Sequence, residues 1–124
     1  MKLFQKLLSL VLVLSMLLIP IPIKADAATS GTCGDNLTWT LDDNGTLTIS
    51  GTGAMYDYSS ESTAPWYPTR SSILQVVIEQ GVTYIGLEAF YEDFYVYSNL
   101  TAVTIPDSVQ TIGEGAFRGC SGLT

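Results

Sequence analysis

The sequence predicts a mainly β protein, in which an N-terminal β-hairpin cap precedes the first turns of a solenoid of short parallel strands with short helical or 3₁₀ pieces. Two patterns predict this fold. Apolar and polar residues alternate on both sides of an Asn-Gly pair between residues 36 and 52, and one residue pattern occurs twice between residues 73 and 124. The 124 residues leave room for one domain once a targeting segment is removed.

Residues 1–27 are expected to be a cleaved signal peptide. Lys2 and Lys6 precede an apolar run from Leu7 to Ile19, and small residues follow around Ala27. This order of charge, apolar core and small-residue cleavage site is typical of secretory signals. The run of 13 residues is shorter than the roughly 20 that span a bilayer, which disfavours an uncleaved membrane anchor. Cleavage is predicted after Ala27, with Ala28 as the alternative, so the mature chain is expected to contain no membrane span.

The remaining chain is strongly acidic. Only Asp26 of the 12 acidic residues lies in the signal segment, so residues 28–124 carry 11 acids against Arg70 and Arg118, a net charge of −9. Such a charge repels phosphate backbones and therefore disfavours nucleic acid as a partner. It favours solubility.

A β-hairpin is predicted within residues 36–52, followed by an aromatic loop that completes the cap region 28–72. Asn44-Gly45 between two alternating runs is a strong hairpin signal, because both residue types accept positive φ. Asp42 and Asn44 resemble the start of a calcium loop, but the later ligands are missing, so the turn is preferred. In the loop from Met55 to Ser72 a helical turn at 65–69 is allowed but not required. Trp is buried on average, which favours Trp39 and Trp66 as cap core rather than as a ligand platform.

The repeat occupies residues 73–124. The first copy spans 73–99, the second spans 100–122, and a third begins at Leu123 and is expected to be truncated at Thr124. Matched positions in the two copies lie 27 residues apart, as Ile73 and Leu100 do. However, Leu123 follows Phe117 after six residues, whereas Leu100 follows Phe90 after ten. The underlying period is therefore 23, and the first copy carries four extra residues within Tyr91–Asn99.

A period of about 20 to 29 residues suits a solenoid in which each turn adds a short strand and a helical or 3₁₀ piece. The alternating apolar residues predict strands that stack in parallel, and Pro106 is expected to end the second. Gly86 and Gly113 are expected to allow tight corners, and the hairpin is expected to cover the edge of the first strand. The predicted repeat core comprises Val76, Ile78, Val82, Ile85, Phe90, Val103, Ile105, Val109, Ile112, Phe117 and Cys120.

Cys33 and Cys120 leave two alternatives. An exported chain can oxidise them to a disulfide. The preferred interpretation is that Cys120 packs as a small buried residue within the repeat. In that case Cys33 is incidental.

The segment from Leu100 to Cys120 resembles the BspA-type leucine-rich repeat of bacterial cell-surface proteins. The stretches Gly31–Gly34, Leu37–Trp39 and Ala64–Tyr67 resemble the region that often precedes such repeats. The resemblance covers nearly all of residues 31–124 and implies a secreted or wall-attached protein that works in adhesion or protein binding. The first copy departs from the family pattern at Tyr91–Asn99.

The sequence disfavours catalysis. No His is present, which removes Ser-His-Asp and Cys-His nucleophile systems and most zinc sites. No phosphate-binding glycine motif occurs, and no cofactor or metal is predicted. The neighbouring carboxylates Asp42-Asp43 and Glu92-Asp93 are expected to point in different directions, which disfavours an acid–base pair.

The function predicted is therefore a non-catalytic exported leucine-rich-repeat scaffold that binds an unidentified protein or glycan. Tyr91, Phe94, Tyr95 and Tyr97 either form a ligand-contact loop or fold over the junction of cap and first turn. The alternative function is an accessory or carbohydrate-binding N-terminal module of a larger secreted enzyme, whose catalytic domain would lie beyond Thr124.

Overall fold

The computed structural model describes residues 27–92 and 99–124. The predicted signal peptide and the predicted contact residues Phe94, Tyr95 and Tyr97 lie outside these ranges. Strands dominate the secondary structure, which confirms the mainly β prediction. They are β1 (Ser30–Gly34), β2 (Leu37–Leu41), β3 (Thr46–Gly51), β4 (Gly53–Ala54), β5 (Gln75–Ile78), β6 (Val82–Ile85), β7 (Ala102–Thr104) and β8 (Thr111–Ile112), and a 3₁₀ helix spans Tyr67–Ser72.

Five strands form sheet A, in the order β1-β2-β3-β5-β7. Strands β1, β2 and β3 are antiparallel, whereas β5 and β7 add in parallel to β3. Leu47, Val76 and Val103 lie side by side in this register. The second strand of the hairpin therefore pairs directly with the first strand of the repeat, and the two strands of successive repeat copies are neighbours.

The β2–β3 hairpin lies where the Asn-Gly pattern predicts one, but its turn differs from the expected type. Among the residues described, Asn44 does not have positive φ and Gly45 does, with φ 81°. The Asp42 carboxylate accepts hydrogen bonds from the backbone N–H groups of Asn44 and Thr46, both at 2.9 Å. The turn thus depends on an aspartate side chain that bonds its own backbone, and one glycine suffices for the left-handed position.

A second sheet, sheet B, has the order β4-β6-β8 and is parallel throughout. The sequence did not predict β4, which consists of Gly53 and Ala54 alone. Each of β3, β5 and β7 is followed in the chain by its counterpart in sheet B. Residues 46–54 therefore lie beside residues 75–85, which in turn lie beside residues 102–112. This arrangement makes the hairpin part of the first stacked layer.

Aromatic rings form a column through the core. Trp66 stacks on Phe90 with ring centroids 5.2 Å apart and an interplanar angle of 19°. Phe90 stacks on Phe117 at the same distance with an angle of 1°. Trp39 meets Trp66 edge-on at 5.9 Å, and both tryptophans are buried. Trp66 therefore continues the column that the repeat's Ala-Phe pairs begin.

The predicted core residues divide into three groups. Val76, Ile78, Val82, Ile85, Phe90 and Cys120 are buried, and Val103, Val109 and Phe117 are partly buried against the same cluster. The prediction was wrong for Ile105 and Ile112, which are 42% and 49% exposed. Both lie on the outermost described layer, where the preceding repeat copy contacts them from one side only.

Gly86 and Gly113 are required for a different reason than the one expected. Neither has positive φ. A Cβ at Gly86 would overlap the backbone oxygen of Tyr56, and one at Gly113 would overlap the backbone of Leu87. These glycines therefore let the backbones of adjacent layers approach each other closely.

Both cysteines are buried free thiols. The thiol of Cys120 donates to the Phe90 carbonyl at 3.1 Å. Burial raises the pKa of Cys33 to about 12 and that of Cys120 to about 11. Cys120 is therefore buried, as expected for a packing position, whereas Cys33 is a full member of the hydrophobic core rather than incidental.

Candidate functional site

The outward side of sheet A is rich in hydroxyl groups. Alternation along the strands turns every second residue away from the core. We call the outward set the hydroxyl face: Ser30, Thr32, Thr38, Thr40, Thr46, Thr48, Ser50, Gln75, Val77, Ala102 and Thr104. Eight of these eleven side chains carry a hydroxyl group, and none carries a charge.

The strand register aligns these side chains in rows across the sheet. One row runs from Ser30 through Thr40, Thr48 and Val77 to Thr104. Neighbours in a row are about 4.8 Å apart, and successive outward residues along a strand are about 6.7 Å apart. Within the face, Thr38 and Ser50 share a hydrogen bond of 3.3 Å. The result is a regular grid of donors and acceptors.

The absence of charge on the hydroxyl face contrasts with the rest of the chain. Residues 28–124 contain 11 acidic side chains, yet none of those within residues 28–92 and 99–124 projects from sheet A. Asp35 and Asp57 instead lie beside tyrosines, since Tyr56 donates to Asp35 at 2.9 Å and Tyr84 donates to Asp57 at 2.7 Å. An uncharged surface has a low desolvation cost, which suits contact with another uncharged surface.

A separate feature, which is concave and which we call the tyrosine cleft, lies between the loop after β4 and the turn after β6. Its volume is about 90 Å³. The lining residues are Ser59, Ser60, Thr63, Ala64, Tyr67, Glu88, Ala89, Tyr91 and Glu92. None of these residues belongs to sheet A. The cleft therefore offers hydroxyl, carboxylate and aromatic groups at a place separate from the hydroxyl face.

Arg70 fixes one wall of the cleft. Its guanidinium carbon lies 3.7 Å from the centre of the Tyr67 ring, and its Nε donates to the Glu92 carboxylate at 2.9 Å. The side chain of Glu92 is 2% exposed and that of Arg70 is 25% exposed. A second arginine, Arg118, lies 5.8 Å from the Tyr91 ring centre. Both arginines of residues 28–124 thus lie against a tyrosine of the cleft.

The predicted contact loop can be placed only in part. Tyr91 is half-buried and lines the tyrosine cleft, while Phe94, Tyr95 and Tyr97 lie outside the described ranges. The sequence reasoning missed the cleft because its two sides come from separate parts of the chain. Within residues 27–92 and 99–124, no group of three His, Cys, Asp or Glu residues could hold a metal ion. The same part of the chain has no helix that is long and apolar enough to cross a membrane.

Comparison with known proteins identifies the repeat. Residues 92–124 match the family described as the BspA type leucine rich repeat region (6 copies). A leucine-rich repeat protein from Eubacterium ventriosum ATCC 27560, known from a crystal structure, is 41% identical over 73% of this chain, with a TM-score of 0.62. The chain covers 24% of that protein. No curated protein matches the sequence. The matched family, the similar structure and the parallel strand layers agree that this chain contains a leucine-rich repeat region of the BspA type.

Proposed function

We propose that the chain is a non-catalytic binding scaffold on the outside of a bacterial cell, and that the hydroxyl face is its main contact surface. The observation that carries the proposal is the lack of any charged side chain among the eleven outward residues of a chain that is otherwise strongly acidic. Asp and Glu make up 11 of the 97 residues from 28 to 124, so eleven positions with the average composition would carry about one carboxylate. A face that excludes carboxylates favours a partner that is flat and uncharged, either protein or glycan.

The exported location is part of the same proposal. The apolar segment 7–19 with its flanking lysines supports a signal peptide that ends at Ala27. We further propose residues 28–72 as the cap and residues 73–124 as the repeats. Strands β1 and β2 support the cap assignment, because they pair on the side of β3 that faces away from β5.

The Tyr91–Asn99 insertion is proposed as a second contact region. Its support is the number of tyrosines in a segment that the repeat period does not require. Tyrosine is enriched at binding surfaces, since its ring is large, rigid and polar at one end. Changing Tyr95 and Tyr97 together to Ser is expected to weaken partner binding. Unchanged affinity in that variant would remove the loop from the proposal.

The hydroxyl face is tested by placing charge at its centre. Thr40 and Thr48 are paired across β2 and β3, so Thr40→Glu with Thr48→Glu puts two carboxylates in the middle of one row. The full chain and this variant are compared on arrays of neutral glycans and of purified cell-surface proteins. We expect the wild-type chain to bind at least one arrayed glycan or protein, and this signal to fall at least tenfold in the variant. The wild-type signal is expected to vary little with salt, because no ion pair is involved.

The matched control introduces the same charge outside sheet A, with Ser121→Glu and Thr124→Glu, two exposed positions. The control is expected to retain the wild-type signal. Equal loss in both variants would show that net charge, not the hydroxyl face, determines binding. A strong signal that survives in the Thr40 and Thr48 variant would exclude the face as the contact surface.

A further inference from the structure

The side-chain amide of Asn44 is exposed and makes no hydrogen bond within the described part of the chain. The turn does not use this side chain, because Asn44 lacks positive φ and the Asp42 carboxylate supplies the bonds that close the turn. What distinguishes Asn44 is the residue after it. Gly45 has no Cβ, so its backbone nitrogen can approach the Asn44 side chain without obstruction. Asn36 and Asn99 are each followed by a leucine instead.

Asparagine is a thermally labile residue, and before glycine it is open to one intramolecular reaction. The backbone nitrogen of Gly45 attacks Cγ of Asn44, a C–N bond forms, and the side-chain nitrogen leaves as ammonia with the proton of the Gly45 N–H. The product is a cyclic imide. Water opens the imide at either of its carbonyl carbons, which gives aspartate or isoaspartate. In isoaspartate the main chain runs through Cβ and Cγ, so it is longer by one carbon atom.

Gly45 joins the hairpin to the first repeat strand. Its carbonyl accepts the backbone N–H groups of Leu74 at 2.8 Å and Gln75 at 3.2 Å. The glycine is buried, its φ is 81°, and a Cβ there would lie 2.8 Å from the Ser72 carbonyl oxygen. This fit leaves little room for a displaced backbone. An extra main-chain atom at Asn44 moves Gly45 out of its position, so isoaspartate is expected to break both hydrogen bonds.

Asp42 holds the turn in a shape that resists the reaction. Its backbone carbonyl accepts the Gly45 N–H at 3.2 Å, and its carboxylate accepts the N–H groups of Asn44 and Thr46 at 2.9 Å each. The Gly45 nitrogen has to give up its bond to Asp42 before it attacks the Asn44 side chain. The reaction therefore requires local opening of an exposed turn, which costs less free energy than opening a buried strand.

We propose that Asn44 is a site of spontaneous covalent modification, that isoaspartate at this position detaches the hairpin turn from the first repeat strand, and that Asp42 controls the rate. Two separate features lead to this residue. One is the exposed side-chain amide before a glycine, and the other is the carbonyl of that glycine as the joint between β3 and β5. The reaction needs water alone as a co-reactant, and the proposal does not rest on the hydroxyl face.

The first experiment follows the full chain in warm, mildly alkaline buffer. Intact-mass measurement detects the conversion of amide to acid, and peptide mapping with electron-transfer fragmentation locates it and distinguishes isoaspartate from aspartate. Asn36 and Asn99 are internal controls, since the leucine after each of them hinders the attack. We expect Asn44 to convert at least about tenfold faster than either. Equal rates at the three asparagines would overturn the assignment of the site.

The second experiment tests the control by Asp42. Asp42→Ala is expected to speed the conversion about tenfold, because it removes two charge-assisted hydrogen bonds that keep the turn closed. Asp43→Ala removes the same charge from the neighbouring exposed residue and is expected to leave the rate unchanged. Asp42→Ser keeps a weaker side-chain acceptor, so an intermediate rate is expected. Circular dichroism checks that each variant is folded. Equal rates in Asp42→Ala and Asp43→Ala would exclude Asp42 as the controlling residue.

The third experiment measures the consequence. Ion exchange isolates the converted chains, which carry one more negative charge, and NMR resolves the isoaspartate form from the aspartate form. Amide hydrogen exchange at Leu74 and Gln75 is expected to accelerate at least about tenfold in the isoaspartate form, because both N–H groups lose their acceptor. Asn44→Asp has the same charge with a normal main chain and is expected to keep the wild-type exchange. Unchanged exchange in the isoaspartate form, or equal acceleration in Asn44→Asp, would overturn the proposed detachment.

Discussion

The rings of Phe90 and Phe117 lie parallel, 5.2 Å apart, and come from the same position of two successive repeat copies. Stacking at this position joins the layers through side chains, in addition to the strand hydrogen bonds. Trp66 extends the stack toward the N-terminal strands and donates from its indole Nε1 to the Ala89 carbonyl at 3.0 Å. Residues 28–72 and residues 73–124 therefore share one core, and a change at the centre of the stack is expected to destabilise both.

The aromatic column can be tested with one substitution at two depths. Phe90 is fully buried whereas Phe117 is partly buried on the outermost described layer. Phe90→Ala is expected to lower the free energy of unfolding by about 3–5 kcal/mol, the usual cost of a large cavity in a closed core. Phe117→Ala is expected to cost about half as much, because solvent can reach that site. Urea unfolding measures both, and an equal loss would contradict a shared core centred on Phe90.

Gly86 tests the close approach of adjacent layers. Gly86→Ala places a methyl group against the Tyr56 carbonyl oxygen, which is backbone and cannot rotate away. We expect a loss of about 2–3 kcal/mol, as for an overpacked core. Gly115→Ala is the control. A Cβ there would meet only the side chains of Glu88 at 3.7 Å and Arg118 at 4.0 Å, which are ordinary contact distances, but its φ is positive. It is therefore expected to lose only about 1 kcal/mol. Thermal unfolding of both variants checks the order, and a larger loss at Gly115 would be inconsistent with this explanation.

How much of this could be predicted from the sequence depended on whether the signal was local. The hairpin and the repeat strands are marked by alternation and by the return of the Ile73 pattern at Leu100. Strand β4 contains Gly53 and Ala54 alone, so it shows no periodic pattern. It forms because β6 lies alongside. Trp66 precedes Phe90 by 24 residues, whereas Phe90 precedes Phe117 by 27. Because the two spacings differ, the sequence repeat did not predict that Trp66 belongs to the aromatic column.

The candidate sites divide in the same way. Threonines on the outward side of β2 and β3 follow from alternation. The exclusion of charge across five strands requires the strand order, because β5 and β7 join the sheet from distant parts of the chain. The tyrosine cleft combines Tyr67 with Glu88, which no sequence pattern connects. The positive φ of Glu88 is visible only as a backbone angle, although its alignment with Gly115 is present in the repeat.

Arg70 and Glu92 provide a test of a buried ion pair. Arg70→Ala leaves the carboxylate of Glu92 buried without its arginine, and breaking such a pair is expected to cost about 3 kcal/mol. Arg70→Met with Glu92→Met removes both charges and keeps the volume. This double variant is expected to recover most of the stability, since neither side chain then carries a charge that burial penalises. Urea unfolding in low salt measures the difference. A double variant as unstable as Arg70→Ala would show that the pair's net contribution is large.

Tyr84 and Asp57 allow a prediction about pH. The hydrogen bond from Tyr84 and the bond from the Leu87 N–H hold the pKa of Asp57 below its usual 3.8. A folded-state pKa below the unfolded value adds stability above pH 3.8, and this contribution is lost as pH falls through the folded pKa. Tyr84→Phe removes the first of these bonds, so the pKa of Asp57 is expected to rise toward its usual value. Carboxyl carbon NMR titration follows Asp57 directly. Tyr56→Phe, which removes a bond to Asp35 instead, is the control and is expected to leave Asp57 unchanged.

The thiols provide the last prediction. Desolvation raises the pKa values of Cys33 and Cys120 to about 12 and 11, above the ordinary 9.0. The reactive form is the thiolate, so both cysteines are expected to resist iodoacetamide at about pH 8 in the folded protein and to react rapidly in urea. The direction of these pKa shifts also determines how stability depends on pH in alkaline solution. The folded state favours the neutral thiol, so stability from burial is complete below about pH 9 and declines as pH rises toward the folded values. Ser121→Cys provides an exposed control at a neighbouring position, which is expected to react at once. Intact-mass measurement counts the labels, and two fewer reactive thiols in urea than the sequence contains would indicate that Cys33 and Cys120 form a disulfide.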